Sequence, residues 1–187
     1  MSIIIVDNGK GAMEIARIIR GSKIVKPTSI PDKENGYILS DGPLDKKTEK
    51  TNIDFINKNE KPLLGIGTGA VCLAEAFEAK AKPFSPVKNE KIIMKQRSGL
   101  LLDLKKIISV ICDTKISIDN LPECFGIIAS STKNPYAMFE YGRNVDVEVD
   151  KQLPFYGLIF NPELGLDGLK ILKNFEKFVI EVWNKYH

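Results

Sequence analysis

Residues 62–77 read Pro62-Leu-Leu-Gly-Ile-Gly-Thr-Gly-Ala-Val-Cys-Leu-Ala-Glu-Ala-Phe77, and the order of residue types in this stretch decides the fold. The apolar run 63–66 suits a buried strand, and Val71, Ala74 and Phe77 then fall three apart, the spacing of one helical face. Between strand and helix lies a corner with Gly65, Gly67 and Gly69 at alternate positions. Glycine serves a backbone that turns sharply through positive φ or passes close to another segment. A strand, a tight turn and a helix N-terminus also present unpaired N–H groups to whatever lies beyond the bend, which makes Gly65, Thr68 and Gly69 candidate ligand-binding positions.

On the N-terminal side of this corner, residues 46–59 are largely polar, with Ile53 and Ile56 spaced for one apolar face of a surface helix. Residues 37–40 read as a strand that turns out through Asp41, Gly42 and Pro43, and residues 22–26 as a shorter strand followed by a loop or single turn at Pro27 and Pro31. At the start, Ile3–Val6 is a continuous β-branched run of the kind buried on both faces of a sheet. Met13, Ile15, Ala16, Ile18 and Ile19 then form a helical stripe ending near Gly21. The intervening turn, residues 7–11, reads first as an ordinary turn at the end of a strand, with a phosphate-binding turn as the alternative.

On the C-terminal side, residues 80–86 carry two prolines and read as loop. Residues 91–94 and 99–104, with a turn at 96–99, read as an antiparallel excursion from the main sheet. The cations around it, Lys88, Lys91, Lys95, Arg97, Lys105 and Lys106, form a solvated face. Further strands are expected at Ile107–Cys112, Phe125–Ser130, 137–141 and 155–160. From Asp167 to Trp183, Leu169, Leu172, Phe175, Val179 and Trp183 mark a long amphipathic helix. Strands alternating with helices, followed by a β-rich stretch, imply an α/β fold with a mainly parallel sheet covered on both faces.

The 187 residues suit one domain spanning 1–187 with a full core, and 27% charged against 43% apolar residues is ordinary for a soluble globular chain. No run is long enough to span a membrane, and Ile3–Val6 is too short for a signal-peptide core, so a cytoplasmic location is expected. A net charge of +3, from 27 basic and 24 acidic residues, is too balanced to argue for nucleic acid. Cys72, Cys112 and Cys124 have no metal or redox spacing and read as reduced thiols, and no metal or cofactor is implied.

The glycine corner resembles the nucleophile elbow of the class I glutamine amidotransferases, an apolar strand followed by Gly-x-Cys-x-Gly-His-Gln and a helix. Here that frame reads Gly65-Ile66-Gly67-Thr68-Gly69-Ala70-Val71, with Gly67 at the cysteine position. The family's Gly-x-Gln-Phe-His-Pro-Glu, which supplies its histidine and glutamate, is similar to Gly157-Leu158-Ile159-Phe160-Asn161-Pro162-Glu163, with Asn161 at the histidine position. Its Ser-Gly-Gly-Pro oxyanion-hole turn is matched by Ser40-Asp41-Gly42-Pro43. The resemblance runs nearly end to end and is greatest to the stand-alone glutaminase subunits that partner a synthase such as GMP synthetase. It implies a flavodoxin-like three-layer fold, a former glutamine pocket that includes Gly42, and an oxyanion hole built from N–H groups of the Gly42 turn and of the residue after Gly67. The family's paired glycines after the elbow helix are replaced by Glu78-Ala-Lys-Ala-Lys-Pro83.

Cysteine amidohydrolysis needs a thiolate, a base within hydrogen-bond reach and a group that orients the base. The one histidine is His187, the last residue, a poor position for a fixed base. Cys72 lies five residues past Gly67, roughly 7.5 Å of helical rise away, and reads as a small buried thiol. Thr68 is the one hydroxyl in the corner, and a neighbouring carboxylate such as Glu163 is a weak base for an alcohol. Asn161 cannot carry a proton between reactants at neutral pH. Asp41 either places a negative charge beside the oxyanion site, opposing it by Coulomb repulsion, or sits in a solvated turn. Glu163 either hydrogen-bonds Asn161 or caps the helix that follows.

Three functions are compatible with these residues. One is a catalytically silent amidotransferase-like protein that binds a protein partner, of the synthase or ATP-pyrophosphatase type, or a small ligand in the old glutamine pocket. Another is a nucleotide-binding module, since Gly65-x-Gly67-x-x-Ala70 fits the dinucleotide fingerprint loosely, although no acidic residue ends the next strand. The third is an enzyme of different chemistry using Glu163, Asp41 or Thr68.

Overall fold

The computed structural model describes residues 2–144 and 146–186, so His187 lies outside the described residues. Five strands form a parallel block: β1 (Ile3–Val6), β2 (Lys23–Val25), β3 (Gly36–Leu39), β4 (Leu63–Ile66) and β11 (Phe155–Leu158). Four more strands, β6 (Val87–Met94), β7 (Ile107–Cys112), β9 (Phe125–Ser130) and β10 (Met138–Tyr141), continue the same sheet in antiparallel succession. The order across the nine strands is β2-β1-β3-β4-β11-β10-β9-β6-β7. No helix among the described residues is long and apolar enough to cross a membrane.

Strands β1, β3, β4 and β11 are buried along their whole length, as a parallel sheet covered on both faces requires. Side-chain alternation divides the apolar residues between two cores. Ile3 and Ile5 face one core with Ile38, Leu64 and Leu158, packed under α1 (Ala12–Ile18) and α4 (Gly168–Lys177). Ile4 and Val6 face the other with Tyr37, Leu39 and Leu63, under α2 (Lys46–Ile56) and α3 (Thr68–Glu75). Asp45 caps α2, its Oδ1 accepting from Lys47 N–H and Thr48 N–H at 3.0 and 2.9 Å. All six cations of the expected solvated face, from Lys88 to Lys106, are exposed.

Three expectations need correction. Residues 80–86 are not all loop: β5 (Ala81–Pro83) pairs antiparallel with β8 (Ile116–Ile118) in a separate two-stranded sheet, and Pro83 is tolerated there because it ends an edge strand. Residues 99–104 are not a strand. A 3-10 turn, Gly99–Leu101, buries Leu100 and Leu101, Asp103 takes a positive φ of 62°, and β6 pairs with β7 and β9 instead. The buried Asn174 on α4 donates to Leu100 O and Leu102 O, both at 2.9 Å, so a helix side chain supplies the bonds a strand partner would have made. The last helix is also not uniform: α4 runs into a π-helical segment, Phe178–Trp183, and Leu169 is exposed rather than on the buried stripe.

Candidate functional site at the carboxyl ends of the parallel strands

The strand order turns back between β1 and β3, and the segments leaving β1, β3, β4 and β11 gather at this one edge, where open α/β sheets place their sites. Gly67 leaves β4 with φ 53° and ψ −114°, a conformation that a side chain at this position would strain, and it begins α3. Its N–H donates to Leu158 O at 2.8 Å and its carbonyl accepts from Val71 N–H at 3.0 Å, so strand β11 and the helix both hold the bend. Gly65 and Gly69 answer to packing. A Cβ on Gly65 would lie 2.6 Å from Gly69 O, and one on Gly69 would lie 2.2 Å from Leu39 O, because α3 rests directly on β4 and β3. Thr68 is fully buried, and its hydroxyl donates to Gly42 O.

Asp41, at the end of β3, is 2% exposed, which overturns the solvated-turn reading. Its Oδ1 accepts from Gly42 N–H and Thr68 N–H, each at 2.9 Å, and from the Thr114 hydroxyl at 3.2 Å. Its Oδ2 accepts from Asn161 Nδ2 at 3.1 Å and lies 3.7 Å from Lys10 Nζ. A Cβ built on Gly67 would stand 2.3 Å from Asp41 Oδ1 and 2.4 Å from its Cγ. The carboxylate therefore holds the two backbone donors expected to cradle an oxyanion and also fills the space into which a side chain at position 67 would grow. The turn itself is fixed by Asn8, whose N–H donates to Ser40 Oγ and whose Nδ2 donates to Ser40 O, with Asn52 Nδ2 donating to Asn8 Oδ1.

Asn161, just beyond β11, is fully buried. Its Oδ1 accepts from Asp113 N–H at 2.8 Å, and its Nδ2 is shared between Asp41 Oδ2 at 3.1 Å and Glu163 Oε1 at 3.2 Å. Of the two roles expected for Glu163, the hydrogen bond to Asn161 is the one found; the N-cap position of α4 belongs to Asp167. Burial pushes the Glu163 carboxyl up to about 7, with Asp41 adding to the rise, against the lowering by its backbone bond, Asn161 and Lys10. Glu163 Oε2 is buried without a hydrogen-bond partner among the described residues.

Lys10, Asp113 and Thr114 complete the cluster, and no sequence motif singles them out as a group. Lys10 Nζ lies 2.7 Å from Asp113 Oδ2 and donates to Asp113 O at 2.9 Å. The charged side chains of the 7–11 turn are thus already paired, with Asp7 accepting from Gly9 N–H and from Lys26. The available signal was modest: a turn rich in Asp and Gly after β1, and Asp113-Thr114 directly after an apolar strand. None of the thiols stands at the bend. Burial raises Cys72, raises Cys112 to about 12 and raises Cys124 to about 11, and Cys112 Sγ donates to Ile159 O. Among the described residues, no group of three or more His, Cys, Asp or Glu could hold a metal ion.

Residues 7–178 match the model of the class-I glutamine amidotransferases. The chain is 32% identical over 170 residues to a glutamine-hydrolysing GMP synthase of Campylobacter hominis, covering 85% of this chain and 31% of that protein. It is 28% identical over 192 residues to a separate subunit of the glutamine-hydrolysing GMP synthase of Methanosphaera stadtmanae, covering 95% and 97%. The chain spans about a third of the length of the curated relatives it matches first. Among solved structures, one described as a GMP synthase subunit of Thermoplasma acidophilum superposes with TM-score 0.85 at 25% identity, covering 100% of this chain and 97% of that one. A glutamine amidotransferase of Thermotoga maritima shares the fold, with TM-score 0.70 at 17% identity and coverage of 100% and 85%.

Proposed function

The chain belongs to the class I glutamine amidotransferase family, and from that premise we propose that it is a silent member, a glutaminase-type domain that binds rather than hydrolyses. The observation that supports this reading best is the Asp41 carboxylate. It accepts from Gly42 N–H and Thr68 N–H and stands 2.3 Å from the Cβ position of Gly67. A tetrahedral intermediate needs those donors for its own oxyanion, and a second negative charge in the same cradle repels it. Around this centre, Gly67 offers no nucleophile, the Thr68 hydroxyl is spent on Gly42 O, and Asn161 is bonded at both ends of its amide. Incubation of the purified protein with glutamine is expected to release no ammonia above the buffer rate. Steady release that is lost in Thr68→Val or Glu163→Gln would overturn the reading.

The role that remains is assembly with a synthase subunit of the ATP-pyrophosphatase type. Two relatives of matching length are described as subunits of a GMP synthase, which supports a partner of that kind. Exposed Met13 on α1 and Leu164, Leu166 and Leu169 around the start of α4, on elements that pack against one another beside Glu163, offer apolar area for such a contact. A small-ligand role for Gly42, Gly65, Thr68 and Gly69 would require Asp41 to swing out of the cradle. Co-elution of the tagged chain with its cognate synthase subunit tests the assembly, and elution as separate species at micromolar concentrations of both would count against it.

A further inference from the structure

A cavity of about 1050 Å³ opens at the other edge of the sheet, beside the residues that lead into β3, β4 and β11. It lies at the amino ends of strands whose carboxyl ends carry the Asp41 cluster, so it owes nothing to that site. Aromatic rings make much of its wall: Tyr156 from β11, Phe178 with its ring 6.0 Å from that of Tyr156 at 79°, and Trp183 from the closing helical segment. Glu140, on β10, lines it with a side chain only 9% exposed. Its Oε1 accepts from Arg143 Nε at 2.9 Å, whereas its Oε2 is buried with no hydrogen-bond partner among the described residues. Lys151 and Glu60 also line it and pair with each other at 2.6 Å, which leaves Arg143 and Lys61 to add positive charge to the lining.

A buried carboxylate oxygen without a donor is destabilising, and natural structures rarely leave one so. A molecule that enters the cavity can supply that donor. An ammonium would meet Arg143 and Lys61 as like charges, while a neutral ring N–H meets Glu140 without that repulsion. Aromatic walls favour a planar body, and the two cations favour an anionic substituent. We propose that this cavity binds a planar, N–H-bearing heterocycle with an anionic tail, the chemistry of a nucleoside monophosphate. The ring edge donates to Glu140, its faces lie against Tyr156 and Trp183, and the phosphate is held by Arg143 and Lys61.

Trp183 is the single tryptophan of the chain, so its emission reports on this wall. The intact protein is titrated with GMP, AMP, CMP and UMP, with ribose 5-phosphate and inorganic phosphate as arms lacking the ring, and with free tryptophan as the absorbance control. At least one nucleotide is expected to change the emission saturably with a Kd of about 1 mM or tighter, and both ring-free arms to leave it flat. Glu140→Gln is expected to weaken that binding about tenfold or more. Val182→Glu, a change at a residue of the cavity wall that is 45% exposed, places a negative charge against the phosphate and is expected to weaken binding too; it carries the test if Glu140→Gln does not fold. Flat titrations with all four nucleotides, a response matched by phosphate alone, or affinity unchanged in the folded variants would overturn the proposal.

Discussion

A single carboxylate ties the residue-scale chemistry together, because Asp41 answers donors from Gly42, Thr68, Thr114 and Asn161 and excludes a side chain at position 67. Gly67→Cys is therefore expected to lower unfolding stability by about 1–3 kcal/mol through overpacking and strain at positive φ. The new thiol should alkylate slowly with iodoacetamide, since a neighbouring carboxylate disfavours the thiolate. Adding Asp41→Gly should speed the alkylation at least about tenfold by freeing the space and the donors, and equal rates in the single and double variants would contradict the packing argument. Glu163 gives a pH prediction. Its folded-state pKa of about 7 lies above the ordinary 4.5, so the folded protein holds this proton more tightly, and the contribution is fully present below pH 4.5 and lost as the pH rises through 7. Urea unfolding of wild type against Glu163→Gln should show wild type losing ground by roughly 3 kcal/mol across that window, and parallel pH curves would count against a neutral folded Glu163. The strand, the glycine bend and the Asp41 turn were legible in the sequence. The burial of Asp41 was not, because its partners Thr68 and Asn161 stand 27 and 120 residues away.

Among the elements, those with a strong period were readable and those held by a distant side chain were not. The β-branched run of β1 and the glycine punctuation of β4 and α3 state their own structure. Residues 99–104, apolar and bounded by turn residues, fit a strand on the same grounds, yet the chain coils there because Asn174 supplies the carbonyls of Leu100 and Leu102 with donors. An apolar run does not reveal whether its backbone bonds will be met by a neighbouring strand or by a side chain 72 or more residues on. Asn174→Leu keeps the volume and removes both donors from a buried site. Its expected cost is about 1–3 kcal/mol, read as a lower urea midpoint with an unchanged slope. A variant as stable as wild type would mean that the Gly99–Leu101 turn is held by the burial of Leu100 and Leu101 alone.

At the scale of the whole molecule, the parallel block separates two polar centres by the length of its strands. Asp41, Thr68 and Asn161 sit beyond the carboxyl ends of β3, β4 and β11, and Glu140, Tyr156 and the cavity sit toward their amino ends. The strands between them are buried on both faces, and β1, β3 and β4 carry no charged or amide side chain. The Tyr37 hydroxyl on β3 donates to Pro31 O rather than along the strand, so the block offers no polar relay from one edge to the other. Coupling between substitutions should follow this division. Asp41→Asn and Asn161→Ala share a direct hydrogen bond at 3.1 Å, and their double-mutant cycle is expected to close with an interaction energy of about 0.5–3 kcal/mol. Asp41→Asn and Phe178→Leu, one at each edge, share no partner and should add to within about 0.5 kcal/mol in urea unfolding. Two cycles measured on one background separate the outcomes. Strong coupling in both would mean that the sheet passes strain from edge to edge, so that a molecule bound in the cavity could shift Asp41. Coupling confined to the first pair leaves a rigid slab whose two edges, the Asp41 cluster and the cavity beside Glu140, are free to change separately.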